Sequence, residues 1–183
     1  MKVIPTSLVG CFIIQPQVYG DERGYFFESY NKEEFVNELG IDIDFVQDNQ
    51  SMSKRGVLRG LHFQIPPFAQ AKLVRVVSGE VLDIAVDLRK KSPTYGKYES
   101  FMLSEYNKLQ LFVPRGFAHG FVTLSEQAVF FYKCDNYYAP DYERGIKYDD
   151  PALNINWKID KQQIELSKKD ENLPLFNHFK TPF

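Results

Sequence analysis

From Phe45 to Tyr138 the chain breaks into short apolar runs separated by turn residues. That punctuation restricts the region to a β-sandwich or β-barrel. Leu73-Val-Arg-Val-Val77 and Val81-Leu-Asp-Ile-Ala-Val-Asp-Leu88, joined through Ser78-Gly79, read as a hairpin. Leu109 to Val113 ends at Pro114, and Phe117 to Leu124 and Ala128 to Cys134 supply two further strands. Upstream, the apolar stretch Gly10 to Ile14 and the run Tyr25 to Tyr30 read as strands on either side of the turn Asp21-Glu-Arg-Gly24. Asn31 is placed to cap a helix over Lys32 to Leu39, with acids in its first turn and Gly40 as its stop. Beyond Pro140 the sequence turns polar and irregular, with a turn at Asp149-Asp-Pro151 and a helix expected over Ile164 to Asn172. There is no repeat, linker or low-complexity tract. Residues 1–183 therefore read as one mainly β domain with short helices and an irregular C-terminal tail.

Composition excludes several function classes. The net charge is −2 with both signs interspersed, which argues against a nucleic-acid binder but leaves room for a small phosphate-bearing ligand. Cys11 and Cys134 are too few and too isolated for a disulfide framework or a cysteine zinc site. No apolar run approaches the roughly twenty residues that span a bilayer. The first residues lack the long apolar core of a secretory signal, so the expected location is the cytoplasm, with no membrane partner. Sixteen Phe and eleven Tyr against one Trp favour strands and supply tyrosines able to line a polar cleft.

Of three histidines, His62 and His119 sit in Gly-punctuated strand sequences with basic residues nearby, Arg59 and Lys72 for the first and Arg115 for the second. Such a pair can bind a metal, move a proton or simply pack. Metal binding needs three or four converging ligands, and here no His-x-His pair occurs, Gln64 is a poor ligand and His178 lies in the tail. No metal is expected. An imidazole titrating near neutral pH suits proton transfer, and fixed cations suit an anion present or developing nearby. Asp170, in Leu166-Ser-Lys-Lys-Asp170, is available to orient His62 if the tail returns to the strands. Tyr132 shares a strand face with Phe130 and Cys134, and Tyr137 and Tyr138 follow in a turn-like segment, where an aromatic platform for a base or sugar and simple packing fit equally well.

The motifs Asp21-Glu-Arg-Gly24, Gln47-Asp-Asn-Gln-Ser51, Gly56-Val-Leu-Arg-Gly-Leu-His-Phe-Gln64 and Gln70-Ala-Lys-Leu-Val-Arg-Val-Val-Ser-Gly-Glu80 occur in that order. They are followed by Asp83-Ile-Ala-Val-Asp-Leu-Arg89, Ser92-Pro-Thr-Tyr-Gly96, Val113-Pro-Arg-Gly-Phe-Ala-His-Gly-Phe121 and Tyr132-Lys-Cys-Asp-Asn-Tyr-Tyr138. Together, over nearly the whole chain, they resemble the dTDP-4-dehydrorhamnose 3,5-epimerases, cofactor-independent cupin-like nucleotide-sugar epimerases. The resemblance implies a cupin-like jelly-roll β-barrel or sandwich, a homodimer with an amino-terminal strand exchanged between subunits, and a dTDP-4-keto-6-deoxyhexose substrate. It makes His62 the base, Tyr132 the acid, Lys72 the group near the C4 oxygen and Asp170 the residue that orients His62. It places Arg23, Glu28, Gln47, Asn49, Arg59, His119, Tyr138, Glu143 and Lys169 against the nucleotide sugar. Lys169 and Asp170 rest on the short tail pattern Leu-Ser-x-Lys-Asp alone.

The implied chemistry needs no cofactor. C3 and C5 both flank a C4 ketone, so loss of either proton gives an enolate that a nearby ammonium stabilises. The same residues fit a mono-epimerase acting at C3 or C5 only. A non-catalytic cupin-like sugar binder would keep the arginines and aromatics without needing the His62 and Tyr132 pair, and a metal-dependent cupin oxygenase would need ligands absent from this sequence.

Overall fold

A computed structural model describes residues 1–183. Its strands in chain order are β1 (Lys2–Pro5), β2 (Phe12–Gln15), β3 (Val18–Asp21), β4 (Gly24–Phe27), β5 (Gln47–Lys54), β6 (Leu58–Gln64) and β7 (Lys72–Ser78). They continue as β8 (Glu80–Asp87), β9 (Tyr98–Ser104), β10 (Gln110–Val113), β11 (Phe117–Thr123), β12 (Gln127–Cys134) and β13 (Glu143–Gly145). Helices α1 (Lys32–Leu39) and α2 (Lys168–Glu171) complete the set with three 3-10 turns. The strands form a six-stranded sheet in the order β1-β2-β10-β7-β12-β5, a five-stranded sheet in the order β13-β6-β11-β8-β9, and the separate hairpin β3-β4. All strand pairings within these sheets are antiparallel. The sheets do not close into a continuous barrel, and the architecture is the mainly β, cupin-like sandwich form.

The expected hairpin of β7 and β8 does not form. β7 pairs with β10 and β12, whereas β8 pairs with β11 and β9, so consecutive strands belong to opposite sheets. Gly79 explains the crossing: its φ is +81°, and a Cβ there would lie 2.1 Å from the Gln127 carbonyl oxygen. Only glycine tolerates both conditions, and the chain turns across the interior instead of back on itself. The alternation in β8 then has two buried faces. Val81 and Ala85 meet Val74, Val76, Phe121 and Phe130 between the sheets, while Leu82, Ile84 and Val86 pack outward against Ile146, Tyr148, Leu153 and Trp157.

Helix α1 forms where the sequence places it. The Asn31 side chain accepts the Glu34 N–H, and Gly40 ends the helix in the left-handed region at φ 67°. Its buried Phe35 packs with Ile14, Leu73 and Phe112 on the outer face of the six-stranded sheet. The helix expected over Ile164 to Asn172 shrinks to α2. Residues before it run extended because Val57 and Glu165 form a parallel bridge, with Glu165 N–H donating to the Gly56 carbonyl at 2.9 Å. Pairing with the sheet edge competes with local helix formation and wins for this stretch, tying the tail to the five-stranded sheet beside β6.

Candidate active site

The two conspicuous histidines are cross-strand partners. β6 and β11 pair with His62 opposite His119, and the register slips between His119 and Phe121. The strands approach unusually closely beside this pair. Gly60 has φ +116°, and a Cβ there would sit 2.6 Å from the Gly120 Cα and 2.7 Å from the His119 carbonyl oxygen. The glycines that punctuate both motifs therefore allow the close approach that sets the histidines side by side. Both line a cavity of about 570 Å³ between the sheets, together with Asn49, Arg59, Lys72, Tyr132, Lys169 and Asp170.

On the five-stranded side, His62 Nε2 lies 2.5 Å from the Asp170 carboxylate. Asp170 is only 3% exposed, and it is delivered by α2, whose N-terminus is capped by Ser167 accepting the Asp170 N–H at 3.1 Å. Burial pushes the Asp170 carboxyl upward, but hydrogen bonds and charge from His62, with help from Ser167 and the Gly60 backbone, hold it below the usual aspartate value. An ionised Asp170 accepts Nε2–H, which fixes the tautomer and leaves Nδ1 as the free lone pair. His119 is tied in parallel: its Nε2 lies 2.9 Å from each oxygen of Asp83, a carboxylate with no solvent exposure.

The opposite wall comes from β5, β12 and β7. Tyr132 is the register partner of Asn49 on one side and Val74 on the other, and Cys134 is flanked likewise by Gln47 and Lys72. Lys72 Nζ lies 5.7 Å from the centre of the Tyr132 ring. Burial lowers the Lys72 pKa, opposed by the fields of the carboxylates Glu143 and Asp83, and no carboxylate forms an ion pair with it. Burial also raises the Tyr132 phenol to about 12, so it is protonated throughout the neutral range. Cys134 is raised to about 11 for the same reason and is a neutral thiol accepting from Asn49 Nδ2 at 3.7 Å. The wall thus presents a proton donor and a lysine amine that no protein carboxylate pairs with.

At the rim, Arg59 Nε donates to Ser53 Oγ at 3.0 Å, leaving both terminal amino groups free of carboxylates. Tyr138 hydroxyl and Lys169 Nζ converge on one oxygen of Glu143, at 2.7 and 2.6 Å. Burial pushes Glu143 up, but the bonds from Lys169 and Tyr138 outweigh it and hold its carboxyl below the ordinary glutamate value. Gln47 Nε2 donates to Asn49 Oδ1 at 2.9 Å, aligning the two amides. Arg23 and Glu28 are not brought to this cavity. Arg23 is exposed on the β3-β4 hairpin and pairs with Asp21 at 2.6 Å, and Glu28 accepts the Asn31 side-chain amide at 2.8 Å. His178 lies in a 3-10 turn of the tail.

Three parts of the site escaped sequence reasoning. Asp83 carried a signal: within the doubly buried β8 it is a charged residue at an interior position, which calls for a buried partner. Ser53 carried none, because a serine on a polar strand is ordinary. The floor, where Phe121 and Phe130 stack with centroids 4.1 Å apart, joins residues of two strands whose facing is a property of the assembled sheets.

The chain matches the family model described as dTDP-4-dehydrorhamnose 3,5-epimerase over residues 5–178. It is 54% identical over 177 residues to the dTDP-4-dehydrorhamnose 3,5-epimerase of Salmonella typhimurium, covering 97% of this chain and 96% of the relative. The crystal structure of dTDP-4-dehydrorhamnose 3,5-epimerase from Elizabethkingia anophelis is similar with a TM-score of 0.94 at 54% identity, covering 97% of each chain. A dTDP-6-deoxy-D-glucose-3,5-epimerase from Legionella pneumophila, solved in complex with dTDP-4-keto-L-rhamnose, gives a TM-score of 0.94 at 48% identity, over 98% of this chain and 94% of the other.

Proposed function

Since the chain belongs to the dTDP-4-dehydrorhamnose 3,5-epimerase family, we propose that His62, Tyr132, Lys72 and Asp170 carry out its reaction. The chain is an isomerase that inverts C3 and C5 of dTDP-4-dehydro-6-deoxy-D-glucose to give dTDP-4-dehydro-L-rhamnose. The observation that carries the residue assignment is the placement of a carboxylate-held imidazole and a protonated phenol on opposite sheets of one cavity, with an ammonium free of ion pairs beside the phenol.

His62 Nδ1 takes the proton from C3 or C5, becoming imidazolium against Asp170, and the bonding electrons pass into the C4 carbonyl as an enolate. Lys72 meets the charge developing on that oxygen, and such a contact in a water-poor site is worth roughly several kcal/mol. Tyr132 then protonates the same carbon from the other face, which inverts the centre, and both groups regain their starting protonation by exchange with solvent. Acid–base assistance of this kind contributes on the order of 10²–10⁴-fold. The ketone is itself the electron sink, so the steps call on no cofactor. Arg59 grips the diphosphate with its free amino groups, and Gln47, Asn49, His119, Tyr138, Glu143 and Lys169 hold the remainder of the nucleotide sugar.

Arg23 and Glu28 take part by acting on a second copy of the chain, in a homodimer. What supports this is the β3-β4 hairpin, which pairs with no other strand and leaves Tyr19, Tyr25 and Phe26 each at least 60% exposed. A two-stranded hairpin with such a surface is marginal alone in water. Residues 1–183 form one domain, since the two sheets share one apolar interior. No helix is long and apolar enough to cross a membrane, and the cytoplasm is the proposed location.

Incubation with dTDP-4-keto-6-deoxyglucose in deuterated water tests the assignment. Wild-type protein should exchange hydrogen at both C3 and C5. Exchange at one centre would make it a mono-epimerase, and none would sink the catalytic reading. His62→Ala should abolish exchange while dTDP binding stays nearly intact; full activity in that variant would mean that another group is the base.

A further inference from the structure

Tyr138 is carried by residues 136–139, which lie outside any strand or helix, yet four successive residues there have a backbone group bound by a glutamine. Gln64 Nε2 donates to the Phe68 carbonyl at 2.6 Å and to the Tyr137 carbonyl at 3.1 Å, while its Oε1 accepts the Ala139 N–H at 2.7 Å. Gln70 Nε2 donates to the Asn136 carbonyl at 2.8 Å, and Gln47 Oε1 accepts the Tyr138 N–H at 2.9 Å. Gln64 is the central fastening. It is 4% exposed, lies two residues beyond His62 on β6, and is the register partner of Glu143, which receives the Tyr138 hydroxyl. The segment is thereby fastened to β6 on both sides of Tyr138, whose own N–H is held by Gln47 of β5 and whose hydroxyl is held by Glu143 of β13, although half of its surface is exposed.

We propose that Gln64 is a positioning residue for the base of the nucleotide: it holds the 137–139 backbone so that the Tyr138 ring stands as a preformed platform for a planar heterocycle. This rests on the reading of Tyr138 as a nucleotide contact. An amide is the side chain that fits, because it must donate to two carbonyls and accept from one N–H. A carboxylate of the same shape would set an oxygen against both carbonyls and replace two hydrogen bonds with two repulsions. An irregular segment without such fastenings would have to be ordered at the moment of binding, which weakens affinity.

Calorimetric titration of dTDP, thymidine and pyrophosphate into the wild type, Gln64→Glu, Tyr138→Ala and the double variant tests this. Gln64→Glu is expected to weaken dTDP and thymidine by about tenfold, leave pyrophosphate unchanged, and cause no further loss when Tyr138 is already alanine. The proposal is overturned if Gln64→Glu binds dTDP like the wild type, weakens pyrophosphate equally, or costs the same with and without the tyrosine ring. If Tyr138→Ala leaves dTDP affinity unchanged, the platform reading itself falls, and the proposal with it. Should Gln64→Glu fail to fold, Gln70→Leu removes one fastening from the far side of the segment. It should weaken dTDP about threefold with the same dependence on Tyr138, and a loss independent of Tyr138 overturns the proposal.

Discussion

In the proposed reaction, Lys72 shows most directly what catalysis asks of a single side chain. Its amine lies in a desolvated wall that lowers its pKa, with no carboxylate bound to it, an arrangement that makes its charged form costly to the folded state and suits the enolate of the proposed reaction. Two outcomes follow from the sign of that shift. As pH rises through the lowered value the charge disappears, so the exchange rate should fall on the alkaline side below the usual lysine range, whereas the phenol at about 12 loses its proton only later. In Lys72→Arg, which cannot deprotonate in this range, the residual activity should keep its alkaline plateau to higher pH; a limb that stays put belongs to another group. Between the lowered pKa and the ordinary lysine value, the unfolded chain binds more protons than the folded one, so stability climbs with pH in that window. Below it the cost of the buried charge is present in full. Lys72→Met should therefore abolish exchange yet raise Tm wherever the pH lies below the lowered value, by about 2–4 °C for each kcal/mol relieved in a protein of this size. A lowered Tm in the calorimeter would contradict that account.

Strand pairing decides whether such side chains meet. β6 and β11 can place His62 against His119 only because Gly60 and Gly120 lack side chains where the backbones touch. Gly60→Ala would add a methyl 2.6 Å from the Gly120 Cα, at a φ of +116° that alanine resists. The strands must then part, at a cost of about 1–3 kcal/mol for overpacking, and both imidazoles shift with them. A displacement of about 1 Å in a reacting group costs on the order of 10²-fold in rate. Gly60→Ala should thus fold with a reduced urea midpoint and lose most of its exchange activity, and near-wild-type kinetics would show that the close approach is not what aligns the base. The motif glycines were legible as punctuation of the two histidine strands, but their partner across the sheet was not, because nothing local to Gly60 specifies Gly120.

The exposed hairpin raises a question that involves more than one copy of the chain. Arg23 stands on β3-β4 away from the cavity that it was expected to serve. If it acts on a second subunit, Arg23→Ala and His62→Ala should each be nearly inactive alone, yet complement each other after co-refolding. Random pairing of equal amounts gives about half heterodimers with one intact site each, so activity should recover to about a quarter of wild type. Recovery no greater than the sum of the two variants would place Arg23 in its own chain's site, and sedimentation at the assay concentration checks that a dimer is present.

Short-range physics made much of this molecule readable in advance. Turn residues and apolar alternation marked out the strands, and Asn31 and Gly40 bounded α1, since each signal acts over a few neighbouring residues; the chemistry proposed for His62, Lys72 and Tyr132 was legible only through the ordered motifs that resemble the epimerase family. Long-range packing settled what those signals leave open. Gly79 sent β7 and β8 to opposite sheets, the edge bridge at Val57 unwound the expected tail helix and brought Asp170 beneath His62, and the pairing of β8 with β11 set Asp83 beside His119 on one face of the sheet. Those contacts join residues distant along the chain, and they are chosen by which apolar faces can be buried together and which buried charges can be paired, a condition met only when the whole fold is assembled.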